Sequence, residues 1–381
     1  MKYYIIAGEA SSDMHAANMM KQLKLRDSEA YFRVWGGDQM EIEADEMAKH
    51  IRETSFMGIF VVISNLRTIK RNFRYCENDI EKFNPDVLIL IDNSGFNLRI
   101  AKYVKTKQLN TKVYYYILPQ AWAWKKKRVH TIQLWTDKRF AILPFEKDFY
   151  KSYGYDVDYV GHPILDSIAQ RRATLLEPKA FRKEFNLADK PIIALLPGSR
   201  KHEIGTKLPI MMQAVKYFPD YQFVIAGSAT IDKSIYQSIV GEECKVIFGN
   251  TYDILNNSTA ALVTSGTATL ETALFNVPQV VCYMPGFATY HILKRVVSIK
   301  YICMVNLILD RMAVTELIQN ELNEKRLTVE LKNVLDPKIS SKMKSDYKLL
   351  ASKLGGGGAS ERTAELIVKD LTKAVEAKKI T

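Results

Sequence analysis

Two stretches far apart in the chain, Leu196-Pro197-Gly198-Ser199-Arg200 and Ser265-Gly266-Thr267-Ala268-Thr269-Leu270-Glu271, carry residue types suited to gripping a diphosphate and a ribose. Each follows a strand-like apolar run and opens a helix-like segment. Backbone N–H groups therefore converge where a helix N-terminus favours negative charge. Gly198 and Gly266 permit tight turns and close backbone approach, and Ser199, Ser265 and Thr267 add hydroxyl donors. Arg200 supplies a planar cationic fork for phosphate. Glu271, one turn into the second helix, is placed to accept hydrogen bonds from a ribose diol. Either stretch alone is equally an ordinary β–α turn with its cap; both in one α/β half point to a bound nucleotide diphosphate.

Acid–base groups lie in the first half. Gly8-Glu9-Ala10-Ser11-Ser12-Asp13-Met14-His15 departs from the dinucleotide G-x-G-x-x-G, which argues against a nicotinamide enzyme. As structure, Ser11 or Ser12 is a helix N-cap and Asp13 a first-turn partner of the helix dipole. Glu9 sits at a strand tip, where a site would lie. Asp92, in Ile91-Asp92-Asn93-Ser94-Gly95-Phe96-Asn97, follows a very apolar strand and is either a general base or the residue opening an Asx turn. His15 has the ordinary pKa better matched to a base.

Two further stretches bear on surfaces. Trp122 and Trp124 precede Lys125-Lys126-Lys127-Arg128, a sugar platform or interfacial anchor beside cationic charge, or else packing beside a solvated face. The run from Phe56 to Ile63 contains Met57, Phe60 and Val61. The helix-like segment after it groups Arg67, Lys70, Arg71 and Arg74 beside an apolar stripe of Val62, Leu66, Ile69 and Phe73. This is either a core helix or an acyl-chain site docked on anionic lipid.

The elements that must position these groups alternate strand and helix in two successive series, from Tyr3 to Val160 and from Ile192 to Tyr283. That order implies two doubly wound parallel-sheet domains, with ligands beyond the carboxyl ends of the strands. The expected domains are 1–167, 168–352, and a glycine-hinged helix over 353–381 that packs back on the first domain or on a second copy. A formal charge of +12 attracts anions. With no zinc-finger or RNP-like motif, nucleic acid is not the expected partner. Cys76, Cys244, Cys282 and Cys303 lack pair or metal spacing and suit a reducing compartment. The N-terminus is too briefly apolar for a signal peptide, and no apolar run approaches a membrane span.

With those residues in hand, the chain resembles the lipid-A-disaccharide synthase family nearly end to end. The likeness rests on the Gly8-to-Asp13 loop, Met57-Gly58, Asp92 with Phe96-Asn97, and Pro119-Gln120 with Trp122-Ala123-Trp124. It continues through Leu143-Pro144-Phe145-Glu146, Val160-Gly161-His162-Pro163, Leu195 to Arg200 with Glu203, and Ser265 to Glu271. Asn306-Leu307 and Gly357-Gly358-Ala359-Ser360-Glu361-Arg362 complete it. Three departures stand out: Ser12 where the family commonly has glycine, Asn93-Ser94-Gly95 after the aspartate, and Asp310-Arg311 where a Gly-Arg-like pair is usual.

The resemblance implies a B-type glycosyltransferase fold, two Rossmann-like domains facing an interdomain cleft. It also implies an inverting transfer of 2,3-diacylglucosamine from its UDP conjugate to the 6-hydroxyl of 2,3-diacylglucosamine 1-phosphate. The expected base is Asp92, then His15, then Glu9. Gly198, Ser199, Arg200, Glu203, Ser265, Gly266, Thr267 and Glu271 are expected on UDP. Ser11, Ser12, Asn97, Trp122 and Asn306 are expected on the acceptor and sugars. No D-x-D pair appears, and neither a metal nor a cofactor is expected. The partners implied are the two lipid substrates, the anionic cytoplasmic face of an inner membrane, and a second copy of the chain through the last helix. The rivals are another UDP-sugar enzyme of the same fold, a 2-epimerase or cell-wall glycosyltransferase, and a non-enzymatic basic membrane- or nucleic-acid-binding module.

Overall fold

The structure, a computed structural model, describes residues 1–53, 66–286, 290 and 300–380. It divides into two compact units: residues 1–167 with 355–381, and residues 168–354. Met57, Phe60 and Val61 lie outside the described residues.

The first unit runs β1 (Lys2–Ala7), α1 (Ala10–Lys24), β2 (Tyr31–Gly36), α2 (Asp38–Glu43), β3 (Glu46–His50), α3 (Leu66–Phe83), β4 (Val87–Ile91), α4 (Ser94–Thr106), β5 (Lys112–Tyr116), α5 (Arg128–Trp135), β6 (Lys138–Ala141), α6 (Glu146–Lys151) and β7 (Asp158–Tyr159). A helix α7 (Ile164–Arg172) carries the chain across the unit boundary. The strands form one sheet in the order β3-β2-β1-β4-β5-β6-β7, every pairing parallel. The central strands are unbroken apolar runs because helices cover both faces: all five residues of β4 are buried.

The second unit contains α8 (Pro178–Glu184), β8 (Ile192–Leu196), α9 (Lys201–Met212), β9 (Gln222–Gly227), α10 (Lys233–Val240), β10 (Lys245–Phe248), α11 (Thr251–Asn256), β11 (Ser258–Thr264), α12 (Thr267–Leu274), β12 (Gln279–Tyr283), α13 (Met304–Leu309), β13 (Thr315–Ile318), α14 (Glu324–Leu335) and α15 (Pro337–Lys353). Its sheet order is β10-β9-β8-β11-β12-β13, again all parallel.

The last helix, α16 (Ala359–Ile380), belongs to the first unit. Ala364, Ile367 and Leu371 are buried on its inner face, which packs on α1. The turn into it uses Gly355, Gly356 and Gly358 at φ of 80°, 76° and 88°, a region that side chains resist. The Ser360 hydroxyl, at the start of this helix, caps none of its N–H groups. Asp166, far away in sequence, takes the helix-start N–H groups instead: Gly358 and Ala359 donate to Oδ1 and Ser360 to Oδ2 at 2.8 Å. Asp166→Ala is expected to cost about 2 kcal/mol, the loss of more than one cap contact. Urea denaturation measures that loss, and hydrogen exchange should accelerate first at the start of α16.

Candidate active site

In a doubly wound sheet the ligand crevice opens where neighbouring strands send their connections in opposite directions. In the first unit that point lies between β1 and β4, which pair through Ala7 and Ile91. The loops leaving these two tips carry Glu9 and Asp92. Gly8 is required there, since a Cβ on it would stand 2.4 Å from the Asn93 side-chain nitrogen.

Asp92 and Asn93 both take the left-handed conformation, at φ of 50° and 34°. Such geometry costs on the order of 1–2 kcal/mol per residue and persists only where neighbours impose it. The neighbours are identifiable. The Asn97 amide donates to the carbonyls of Ile91 (3.0 Å) and Asp92 (2.9 Å), and the Tyr115 hydroxyl donates to the same Asp92 carbonyl. The Asp92 side chain is half-buried. Burial, with the Glu9 carboxylate adding to it, pushes the Asp92 carboxyl up to about 6, against the pull of the Asn93 N–H. A carboxylate with that pKa is available as a base at neutral pH.

Helix α1 begins three residues before the expected Asp13, with Glu9 as its N-cap residue and the Asp13 N–H closing the first turn on the Glu9 carbonyl. Ser11 and Ser12 therefore fall inside the helix and not at its N-cap; Ser12 is 2% exposed, while Ser11 is half-buried. The Asp13 carboxylate is drawn away to cap α2, accepting from the N–H groups of Gly37, Gln39 and Met40. His15 is buried, and desolvation pushes its imidazole down to about 4 despite Asp166 nearby.

The second unit repeats the arrangement. Its strand order reverses between β8 and β11, and these are the strands that lead into Pro197–Arg200 and Ser265–Thr267. Gly198 (φ 115°) and Gly266 (φ 151°) supply the backbone conformations. Arg200 and Gly266 occupy the N-cap positions of α9 and α12. Glu203 Oε2 accepts from the Ser199 N–H at 3.2 Å while Oε1 lies 3.6 Å from Arg200 Nη1. Ser265 donates its hydroxyl to the Ile302 carbonyl at 3.3 Å, and Thr267 is exposed at the start of α12. Glu271 is held by the Tyr252 hydroxyl, which donates to its Oε1 at 2.9 Å. Burial raises the Glu271 carboxyl and Tyr252 opposes that rise. Tyr252 was not singled out in the sequence: it lies on α11, and only the fold brings it to Glu271.

Three residues expected on the acceptor and sugars are buried. Asn97 is fully buried, its side-chain nitrogen donating to the Asp92 loop. Asn306 is fully buried too; it donates to the Val314 carbonyl and Glu316 and accepts from the N–H groups of Ala313 and Val314. Trp122 is 9% exposed, packs edge-on against Phe145 and donates its indole N–H to Glu146. Trp124 is the exposed indole, at 36%, with Lys125 and Arg128 over its ring. Asp310 closes α13 at φ 50°, a left-handed position natural to the glycine usual in the resembling family.

Arg67, Lys70, Arg71 and Arg74 are all exposed on α3. Arg99 of α4 stacks on Phe73 of α3 at 4.1 Å, extending that cationic face. Among the described residues, Asp38, Glu41 and His50 form the one group with three converging possible metal donors. Arg52 engages both Asp38 oxygens and donates its backbone N–H to His50 Nδ1.

A family model described as lipid-A-disaccharide synthetase matches residues 3–369. A lipid-A-disaccharide synthase of Myxococcus xanthus (strain DK1622) is 34% identical over 374 residues, covering 96% of this chain and 96% of its own. Lipid-A-disaccharide synthase 1 of Legionella pneumophila (strain Paris) is 34% identical over 376 residues, covering 96% of this chain and 97% of its own. Among solved structures, the UDP-GlcNAc 2-epimerase of Neisseria meningitidis bound to UDP-GlcNAc superposes with a TM-score of 0.69 at 13% identity, over 97% of this chain and 100% of that one. At that identity the likeness speaks for the fold alone.

Glu146 lies beneath the Trp122 loop, accepting from the N–H groups of Ile142 and Leu143 at 3.0 Å each as well as from Trp122. Burial pushes its carboxyl up to about 7, against the pull of those donors. A carboxyl that binds its proton more tightly folded than unfolded adds stability that is complete below its unfolded pKa of about 4 and is lost as pH rises through the folded value. Wild-type stability is thus expected to fall between about pH 4 and 7, and to fall less steeply in Glu146→Gln. Parallel urea-denaturation profiles for the two proteins would contradict this.

Proposed function

The chain belongs to the lipid-A-disaccharide synthase family, and on that premise we propose how its two units share the work of glycosyl transfer. It is a hexosyltransferase of the B-type, two-domain fold, acting on a UDP-sugar and a lipid-linked acceptor. The sugar of UDP-2,3-diacylglucosamine passes to the 6-hydroxyl of 2,3-diacylglucosamine 1-phosphate, giving the β-1,6-linked disaccharide 1-phosphate and UDP. Inversion in one displacement sets two requirements: a base for the acceptor proton, and neutralisation of the charge that grows on the departing diphosphate.

The second unit meets the charge requirement. Arg200, the Ser199 N–H and the N-terminus of α12 at Gly266 and Thr267 surround the leaving phosphates, acting where charge develops in the transition state. Glu271, aimed by Tyr252, takes the ribose hydroxyls. The first unit meets the base requirement through Asp92, with burial and then Glu9 keeping its pKa high and Asn97 fixing the loop. The observation that carries this reading is that Asp92 and the Arg200 loop each leave a strand at the switch point of its sheet. The competing 2-epimerase reading draws support only from the shared fold.

The exposed cations of α3, with Arg99 beside them, form the face that meets an anionic bilayer and presents the unit to amphiphilic substrates. Among the described residues no helix is long and apolar enough to cross a membrane.

Incubation with the two diacylglucosamine substrates should yield the disaccharide and free UDP. Asp92→Asn should lower kcat about 10²- to 10⁴-fold, the range of a lost general base. The base works only deprotonated, so wild-type kcat/KM should decline as pH falls through about 6. Near-normal turnover by Asp92→Asn excludes Asp92 as the base. Glutamine at Arg67, Lys70, Arg71 and Arg74 together should weaken binding to anionic vesicles by about a hundredfold or more, at about 1 kcal/mol per cation. Affinity for UDP in vesicle-free solution should not change.

A further inference from the structure

Lys207 is a buried cation that the scheme above does not use. It lies on α9, one turn beyond Glu203, and is 3% exposed. Among the described residues, its ammonium forms no ion pair with a carboxylate. The charged and titratable groups that it faces are Glu203, Cys282 of β12 and Arg200; desolvation lowers its pKa, and Glu203 opposes that drop. An ammonium held in this way is costly unless a counter-charge is at hand. The counter-charge within range is Glu203, and a Glu four residues before a Lys is the favourable order for pairing along a helix.

Glu203 is turned the other way. Its carboxylate lies across the loop that is read above as the diphosphate cradle, taking the Ser199 N–H and approaching Arg200. It sits so close that a Cβ on Gly198 would stand 2.4 Å from Oε2. One carboxylate thus has two cationic seats: the Ser199–Arg200 loop, which it occupies, and Lys207, one turn along.

We propose that Glu203 is a resident stand-in for a phosphate, and that Lys207 is a positioning residue that receives it when the diphosphate enters. In the empty protein the carboxylate satisfies the Ser199 N–H and Arg200 and keeps the cradle formed. An arriving nucleoside diphosphate competes for the same donors, and left in place Glu203 would repel it. Pairing with Lys207 removes that repulsion and supplies the buried ammonium with its counter-charge. Lys207 acts through Glu203 and does not touch the ligand. The inference rests on the reading of the Gly198–Arg200 loop as a diphosphate site.

Isothermal titration with UDP on the full chain, using Lys207→Met, Glu203→Gln and the double variant, tests it. Lys207→Met should weaken UDP binding about tenfold, within the range of coupling between neighbouring residues of one network. Glu203→Gln should tighten it several-fold, because the internal competitor is gone. In the Glu203→Gln background, Lys207→Met should change affinity by less than about twofold, the non-additivity expected of residues acting as a unit. A purely structural lysine would cost the same factor in both backgrounds, and that result overturns the proposal. So does a weaker or unchanged affinity in Glu203→Gln, a measurement that stands even if Lys207→Met does not fold. Failure of the wild type to bind UDP would instead overturn the reading of the loop on which the proposal rests.

Discussion

Right-handed crossovers on a parallel sheet leave a crevice only where two adjacent strands dispatch their chains to opposite sides, and each unit places its chemistry there. Between β1 and β4 this constraint sets the Glu9 and Asp92 loops side by side. Between β8 and β11 it does the same for the Arg200 and Thr267 loops. Neither pair is local in sequence. The register that joins Ala7 to Ile91, and Leu195 to Leu262, makes them neighbours.

Around those points the protein spends its buried polar groups on holding loops. Asn97 stabilises the left-handed backbone at Asp92 and Asn93; Asp13 caps α2, Asp166 caps α16, and Glu146 gathers the turn at Leu143 with Trp122. Each is a side chain reaching backbone N–H or C=O groups that would otherwise be buried unsatisfied. Burial raises the carboxyl pKa at Asp92 and Glu271, and it does so at Glu146 as well despite three donors there. What sets Asp92 and Glu271 apart is their place after strands at the switch point of each sheet.

The same accounting shows where side chains near the strand tips are buried. Polar residues near a functional strand tip look alike in sequence whether they touch a ligand or hold the loop that does. Asn97 and Asn306 lie next to functional segments but are fully buried, and their amides are engaged on their own unit. Trp122 and Trp124 are two residues apart, and the fold turns one inward to Glu146 and leaves the other exposed beneath cations. His15 has a favourable ordinary pKa, yet its helix buries it and lowers that value.

The residue order by itself determined the two α/β series, the parallel sheets and the loops bearing Asp92, Arg200 and Glu271. These follow from local signals: apolar runs long enough for a strand buried on both faces, glycines at turns, and polar groups at strand ends. The family resemblance was legible there as well, because many short motifs recur in one order along the chain. Only the tertiary structure decided which side chains face solvent and which face backbone. It alone brought Tyr252 to Glu271, Asp166 to the start of α16, and Glu203 across the loop that Arg200 ends. Burial and long-range partners are properties of packing, and packing joins residues that the sequence keeps far apart.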